Sequence, residues 1–272
     1  MKDQIYKKMT RFQKSLIFSL IILIVTIIGG YLVKSRDGKV AGTQSEQKEV
    51  RGIILPHHNL AENLILESFE KLKSENYSYV VILGPNHFAP NVNSLITAKE
   101  IPGYSFENEI MNSVLQKYPD ISQSPDLVEK EHSLTIHLPF IKNYFPEAKI
   151  LPLMISPFSG NEDLSDKISY LASTVPSDTL FIASVDFAHD VLPELGFKNN
   201  QESISAISEF NYQTLTSFDD THMDSPLSIL ALLYSMQKFG STGWETWYSS
   251  HASLIENDPG VQGTSYVIGV FR

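Results

Sequence analysis

Short apolar runs alternate with longer amphipathic segments along most of the chain. The apolar runs lie at 52–56, 79–84, 148–156 and 179–187, and two further strand-like runs lie at 243–250 and 264–271. The run at 79–84, YVVILG, has no polar alternation, as expected for a strand in a sheet that is covered on both faces. These runs predict the strands of a central sheet.

The segments between these strands carry apolar residues at helical spacing. In the segment 63–75, one face of a helix would carry Leu64, Ile65, Phe69 and Leu72. The other predicted helices lie at 106–118 and 161–175, and around 201–217 and 225–238. This order of strands and helices predicts one α/β domain, residues 50–272, with a mostly parallel or mixed central sheet flanked by helices.

The first 39 residues have a different pattern. Five basic residues precede an uncharged run at 15–33, which is as long as the roughly 20 apolar residues that a membrane-spanning helix needs. Positive charge is denser before this run than after it. We therefore predict a cytoplasmic basic tail (1–14), a single transmembrane helix (15–33) and a linker (34–49), with the domain on the extracytoplasmic side of the membrane.

A cleaved signal peptide is the alternative for the same segment. The apolar run is longer than the roughly 7–15 residues of a typical signal peptide, and no clear cleavage site follows it. An uncleaved anchor is therefore the favoured interpretation.

Charge and cysteine usage narrow the classes of function. Residues 1–39 contain eight basic and two acidic residues, so their net charge is +6. The net charge of the whole chain is −10, and that of residues 40–272 is therefore −16. An acidic domain argues against nucleic-acid binding, which requires a basic surface. The chain has no cysteine, and this excludes disulfides, thiolate metal ligands and cysteine nucleophiles.

Histidine residues cluster near the ends of the predicted strands. The polar residues in such positions are His57, His58, His87, His132, His137, Asp186, His189 and His251, whereas His222 falls between helices. Ligands of open α/β sheets bind beside the carboxyl ends of strands, and imidazole is a common ligand of Fe, Cu and Zn. We predict a metal or catalytic site there. The alternative is that each is an ordinary hydrogen-bonded loop residue.

Five motifs occur together in an order and spacing that resemble a known family. They are PHHNL (56–60), LGPNHF (83–88), EHSLTIHLPF (131–140), ASVDFAHD (183–190) and SYVIGVF (265–271). On these motifs, residues 50–272 resemble the Memo family, which includes bacterial proteins called AmmeMemoRadiSam system protein B. The fold of that family is similar to that of LigB-type (class III) extradiol dioxygenases. The resemblance therefore implies a metal pocket at the strand ends.

The resemblance also implies roles for individual residues. His57 and His87 match the metal-ligand positions of the family, and Asp186 and His189 look like its acid/base pair. The resemblance implies that His132 and His137 line the pocket and orient ligands or substrate, and we also expect His137 to have a catalytic role. Glu131 could accept a hydrogen bond from an imidazole, and we expect Glu131, Asn86 and His58 to belong to the same pocket.

The chain departs from the family pattern at two places. The first motif of the family usually reads PHAGY, but here His58 follows His57, and we interpret His58 as either a residue at the pocket mouth or an incidental loop residue. Some members have a cysteine near the C-terminus as a further ligand. His251 is the nearest replacement in this chain, and Glu256 and Asp258 are weaker candidates.

Two histidines with a third histidine or a carboxylate leave coordination positions open, as in non-haem Fe(II) oxygenases and zinc hydrolases. We expect one divalent transition metal, with Fe(II) or Cu(II) favoured and Zn(II) as the alternative. We predict a metal-dependent, dioxygenase-like oxidoreductase. The alternatives are a metal-dependent hydrolase that uses the same site and a non-enzymatic module that binds a metal or a peptide. The substrate would be a small molecule or a peptide, and the resemblance suggests a radical-SAM protein as a partner.

Overall fold

One mixed sheet of eight strands forms the centre of the computed structural model, which describes residues 49–92, 95–157 and 159–272. The strands are β1 (Gly52–Leu55), β2 (Tyr79–Pro85), β3 (Ile96–Thr97), β4 (Ser122–Gln123), β5 (Lys149–Ile155), β6 (Thr179–Ser184), β7 (Trp244–His251) and β8 (Ser265–Phe271). Their order across the sheet is β4-β3-β5-β2-β6-β1-β8-β7. The central strands β5, β2, β6 and β1 are parallel, and β8 pairs antiparallel with both β1 and β7.

Helices cover both faces of this sheet. They are α1 (Glu62–Leu72), α2 (Glu109–Lys117), α3 (Pro125–Lys130), α4 (His132–Thr135), α5 (Leu138–Tyr144), α6 (Asn161–Thr174), α7 (Pro193–Ser208), α8 (Tyr212–Thr216), α9 (Pro226–Phe239) and α10 (Ala252–Ile255). Successive strand residues point to opposite faces. Ile54 and Phe181 accordingly share a core with α6 and α9, whereas Ile53 and Ile182 share the other core with α1 and α5.

The parallel pairing of β1, β6 and β2 brings the carboxyl ends of three strands to one edge of the sheet. Leu55, the last residue of β1, is in register with Ser184, the last residue of β6. His57, Asp186 and His87 each follow the end of one of these strands by two residues. The strand pairing alone therefore brings these three side chains together.

The predicted α/β domain with a mixed sheet flanked by helices is confirmed. The short strands β3 and β4 are absent from the sequence prediction, because two residues are too few to show a period. The segment predicted as one helix around 201–217 forms α7 and α8 instead. Phe210, which has a φ of +53°, lies between them and ends the first helix, because this backbone conformation is incompatible with a right-handed helix.

The predicted transmembrane helix at 15–33 lies outside the described residues, together with the predicted basic tail and nearly all of the linker. Within the described ranges, no helix has both the length and the apolar character needed to cross a membrane. The fold class is therefore corrected to the α/β domain that the described residues form, and the predicted membrane helix and single-pass membrane location find no support in them.

Gly84, near the end of β2, packs directly against α4. A Cβ atom at this position would lie 2.7 Å from Ser133 Oγ and 3.0 Å from Leu134 Cδ2. We expect Gly84→Ala to lower the free energy of unfolding by about 1–3 kcal/mol, because an added methyl group in a packed interior displaces its neighbours. A Cβ atom at Gly160 would have no neighbour within 4 Å, so Gly160→Ala is the control. Equal losses for both variants in urea unfolding would contradict this expectation.

Candidate metal centre

Three imidazole rings converge beyond the ends of β1 and β2. The ring centroid of His57 lies 5.3 Å from that of His87 and 5.2 Å from that of His132, and the rings of His87 and His132 stack at 4.6 Å. Each residue offers a ring nitrogen, and these three nitrogens lie within 4.8 Å of one another. This spacing is suited to three ligands of one metal ion.

The end of β6 holds His57 in place. The backbone N–H of His57 donates to Asp186 Oδ1 at 3.0 Å, and its Nδ1 forms a hydrogen bond with Ser184 Oγ at 3.2 Å. Its other ring nitrogen, Nε2, lies 2.9 Å from Asp224 Oδ2 and 3.6 Å from Asp186 Oδ2. Because Nδ1 is engaged with Ser184, Nε2 is the nitrogen that is available to a metal.

Glu131 fixes both the backbone and the ring of His87. One carboxylate oxygen accepts the backbone N–H of His87 and the other forms a hydrogen bond with its Nδ1, both at 2.8 Å. Glu131 is fully buried and also accepts the backbone N–H of Ser133 at the start of α4. A carboxylate that engages one ring nitrogen leaves the other free for a metal. In His87 this is Nε2, which lies 3.7 Å from Asp224 Oδ2.

Two carboxylates lie beside the imidazole rings. Asp186 and Asp224 form a second group with His57 whose ligand atoms also lie within 4.8 Å of one another. Asp224 lies in the loop before α9, and its backbone N–H donates to the carbonyl oxygen of Asp186 at 3.0 Å. Both carboxylate oxygens of Asp224 are buried; Oδ2 pairs with the ring of His57, and Oδ1 has no hydrogen-bond partner among the described residues. A buried carboxylate in this state is suited to binding a cation.

These charges shift the pKa values of the group. Burial lowers the pKa of His87, but the nearby Asp224 carboxylate and the hydrogen-bonded Glu131 carboxylate outweigh burial and raise this pKa to about 10. In the same way, the negative charge of Asp224 outweighs burial and raises the pKa of His57. Without a metal, the ring of His87 therefore carries an extra proton at neutral pH, and metal binding has to displace it.

The two aspartates respond differently to the same surroundings. Burial raises the pKa of Asp186, and the neighbouring Asp224 reinforces this effect. Burial also acts on Asp224, but the positive charges of His57 and His87 outweigh it and hold the pKa of Asp224 below its usual range. Asp224 is therefore the more readily ionised of the two carboxylates.

His137 lies behind His57 and shares a partner with it. His137 Nε2 is 2.9 Å from Ser184 Oγ, the same hydroxyl that contacts His57. Complete burial, reinforced by the positive charge of His57, lowers the pKa of His137 to about 3, so this ring is neutral. Its effect on the metal group would pass through Ser184, and its predicted catalytic role stays a prediction.

His251 does not join the two groups of metal-suited residues. This fully buried residue accepts the backbone N–H of Ser253 at Nδ1 (3.1 Å), which caps α10, and its Nε2 lies 3.1 Å from the carbonyl oxygen of Val191. Both ring nitrogens are thus engaged within the protein. The third imidazole beside His57 and His87 is that of His132, whose side chain is 52% exposed.

The remaining residues of the predicted pocket have supporting positions. His58 is exposed, and its Nδ1 forms a hydrogen bond with the hydroxyl of Tyr266 at 2.8 Å. Asn86 is buried, and its side chain bonds both the backbone N–H (2.9 Å) and the carbonyl oxygen (2.7 Å) of Ala89. Asn86 thus closes the turn that carries His87.

His189 lies in the loop that follows Asp186. Its backbone N–H donates to the carbonyl oxygen of Asp220 at 3.1 Å, and its Nε2 is buried without a hydrogen-bond partner in the described part of the chain. The charge of His189 acts on Asp186, so the two predicted acid/base residues are electrostatic neighbours. The ring of His222 contacts a different residue, Phe218, on which it stacks with 4.1 Å between ring centroids.

Asp224 and Ser184 are the site residues that sequence reasoning missed. Asp224 follows no predicted strand, and its segment, DDTHMDSP, drew attention only through His222. Ser184 lies inside the strand-like motif ASVDFAHD, where nothing distinguishes it from other small strand residues. Only neighbouring residues could have indicated these two positions. Ser184 lies two residues before Asp186, and Asp224 lies two residues before Pro226, which begins α9.

A family model described as Memo-like protein matches residues 32–258. The chain belongs to the Memo-like family. It is 24% identical over 219 residues to a MEMO1 family protein of Caldivirga maquilingensis, with 74% of this chain and 76% of the relative covered. It is 30% identical over 155 residues to a MEMO1 family protein of Aquifex aeolicus, with 53% of this chain and 41% of the relative covered. The family resemblance predicted from the motifs is confirmed.

The fold of this Memo-like protein is also similar to that of an uncharacterized protein from Escherichia coli K12. The TM-score is 0.54 at 10% sequence identity, and the match covers 82% of this chain and 100% of the other. At this identity the likeness concerns the fold alone. The similarity to extradiol dioxygenases stays a prediction.

The contact between Glu131 and His87 can be tested by titration of the metal-free protein. We expect Glu131→Gln to lower the pKa of His87 from about 10 by roughly one to three pH units, because a neutral amide no longer favours the charged ring. Histidine C–H resonances measured by NMR against pH give this value, and His87→Gln identifies the resonance. A His87 resonance that titrates unchanged in Glu131→Gln would contradict the assignment. Glu129→Gln, an exposed change on α3, is the control.

Proposed function

We propose that this Memo-like protein binds one divalent transition metal and acts as a dioxygenase-like oxidoreductase. One observation carries the proposal: Asp224 Oδ2 lies 2.9 Å from His57 Nε2 and 3.7 Å from His87 Nε2. Two imidazoles and one carboxylate on one side of a metal are the ligand set of non-haem Fe(II) oxygenases. His132 is a fourth potential ligand at the open side of the group.

The donor atoms agree with the proposed metal. Imidazole and carboxylate suit Fe(II), Cu(II) and Zn(II), and the absence of cysteine removes the thiolates that favour Cu(I). The buried Asp224 carboxylate, whose Oδ1 has no hydrogen-bond partner among the described residues, is a negative charge that such an ion would neutralise. A metal held by these residues would supply Lewis acidity and, in the case of iron or copper, redox chemistry with O₂.

In this proposal, some of the surrounding residues orient the ligand rings and others transfer a proton. Glu131 and Ser184 each engage Nδ1 of a ligand ring, so both His57 and His87 present Nε2 to the metal. His189 has a buried Nε2 without a hydrogen-bond partner in the described ranges and lies near Asp186, whose pKa burial raises. These properties suit His189 and Asp186 to moving a proton between substrate and protein.

A metal-dependent hydrolase is the second candidate, and the His57–His87–His132 group favours it. Three imidazoles with an open position are also a ligand set of catalytic zinc sites. The two candidates differ in the third ligand: Asp224 for the oxidoreductase and His132 for the hydrolase. Variants of these two residues therefore separate the candidates.

Metal binding is the first test of the proposal. We expect His57→Ala, His87→Ala and Asp224→Asn to lose most of their affinity for Fe(II), Cu(II) and Zn(II), because each removes a direct ligand. His58→Ala is a matched control, since His58 is adjacent to His57 but exposed and directed at Tyr266. Anaerobic titration of the full-length protein, followed by elemental analysis, gives the affinities. Wild-type metal content in His57→Ala and His87→Ala would contradict the proposed site.

Activity is the second test. With Fe(II) or Cu(II) bound, we expect metal-dependent O₂ consumption with a catechol as the probe. His189→Ala should lower kcat roughly 10²–10⁴-fold, as expected for the loss of a general acid or base, with metal content unchanged.

The pattern of results decides between the candidates. Metal-dependent ester hydrolysis without O₂ consumption, retained in Asp224→Asn and lost in His132→Ala, would favour the hydrolase. A metal-bound protein that is inactive in both assays would contradict both enzymes and would leave a binding module.

A further inference from the structure

A cleft with a volume of about 590 Å³ opens beside the candidate metal centre. His87 and Asp224 line it, so the cleft leads to two of the proposed metal ligands. We propose that this cleft binds an organic cation, namely a primary amine with an apolar body, and that it excludes organic anions. This inference rests on the proposed function in that it names the substrate class of the same site.

The walls of the cleft are largely apolar and rigid. They include Pro85, Pro226, Ile155, Met223 and Leu227. Proline has a fixed φ angle, and Ile155 and Met223 are at most 1% exposed within their packed surroundings. These walls suit the apolar body of a small molecule, which gains free energy when its surface leaves water.

The charged groups that line the cleft are almost all negative. Asp219, Asp220 and Asp224 line it, and no lysine or arginine is among its described lining residues. His87 is the one basic group among them, and it is already engaged by Glu131 at 2.8 Å and faces Asp224. Residues 40–272 as a whole carry −16. Even with His87 protonated, the three lining carboxylates leave a net negative charge, so the cleft would repel an anion and attract an ammonium group.

Asp224 supplies a second, independent indication of a cationic ligand. Its side chain is 10% exposed, and its Oδ1 has no hydrogen-bond partner among the described residues. Oδ1 of Asp219 is used differently, because it accepts the backbone N–H and the hydroxyl of Thr221. The largely buried Asp224 at the inner end and the exposed Asp220 at the rim therefore place carboxylates along the cleft that would attract a charged amine.

The start of α9 also lines the cleft, and a helix N-terminus ordinarily attracts anions. Here that position is already occupied by the protein itself. Ser225 caps α9 by accepting the backbone N–H of Ser228, and Asp224 supplies a negative charge directly before it. The N-terminus of α9 thus offers no free site for an anionic substrate.

Matched ligands that differ only in charge test this inference on the metal-free, full-length protein. The probes are 3-phenylpropylamine, 3-phenylpropanol and 3-phenylpropionate, and calorimetry or NMR gives their Kd values in the presence of a chelator. We expect the amine to bind at least tenfold more tightly than the carboxylate, with the alcohol between them. No detectable amine binding, or carboxylate binding that equals it, would overturn the inference.

Two variants at the rim locate the binding. Asp220→Asn should weaken amine binding about 3- to 10-fold, and Asp220→Lys should reverse the preference in favour of the carboxylate, because each changes the charge at an exposed position. Glu129→Gln removes an exposed carboxylate on α3 and should leave all three Kd values unchanged. Equal effects of Glu129→Gln and Asp220→Asn would show general surface attraction and would overturn the inference.

Metal titration of the same samples separates the two proposals. Amine selectivity without metal binding would leave the cation cleft in place and contradict the metal-dependent function. Metal binding without amine selectivity would leave the proposed metal site in place and contradict the cation cleft.

Discussion

A fully buried carboxylate, that of Glu131, joins the parts of the site to one another. A carboxylate away from water is stable only when its oxygens accept hydrogen bonds or face positive charge. Glu131 meets this condition with the backbone and ring of His87 and with the backbone N–H of Ser133. His87 belongs to the loop after β2 and Ser133 to α4, so this one group fixes the loop against the helix. The positions of His87 and His132 both depend on it.

The central strands could be predicted because their apolar runs are long. β1, β5 and β6 each lie within a run that is visible in the sequence, and β2 extends beyond its run by one residue. Shorter features could not be predicted in this way. β3 and β4 exist only through pairing with β5 and with each other. The helix break at Phe210 depends on a positive φ angle that a phenylalanine side chain does not predict.

At the candidate site, too, the residues that follow long strands could be predicted, whereas those placed by tertiary contacts could not. His57 and His87 could be proposed from sequence because the parallel sheet brings the ends of their strands to one edge. Asp224 reaches the group through a backbone contact with Asp186, which is 38 positions away in the chain, and no local pattern signals this. His251 shows the opposite case: it ends a strand, but β7 lies at the sheet edge, two strands away from β1.

Ser184 Oγ lies between two imidazoles, 3.2 Å from His57 Nδ1 and 2.9 Å from His137 Nε2. A hydroxyl has a single hydrogen, so it can donate to only one ring and must accept from the other. When His57 presents Nε2 to a metal, its Nδ1 keeps a hydrogen and donates to Ser184. Ser184 then donates to His137, whose own hydrogen must sit on Nδ1. The tautomers of the two rings are therefore linked, and a change in one reverses the hydrogen-bond direction along the whole chain of three residues.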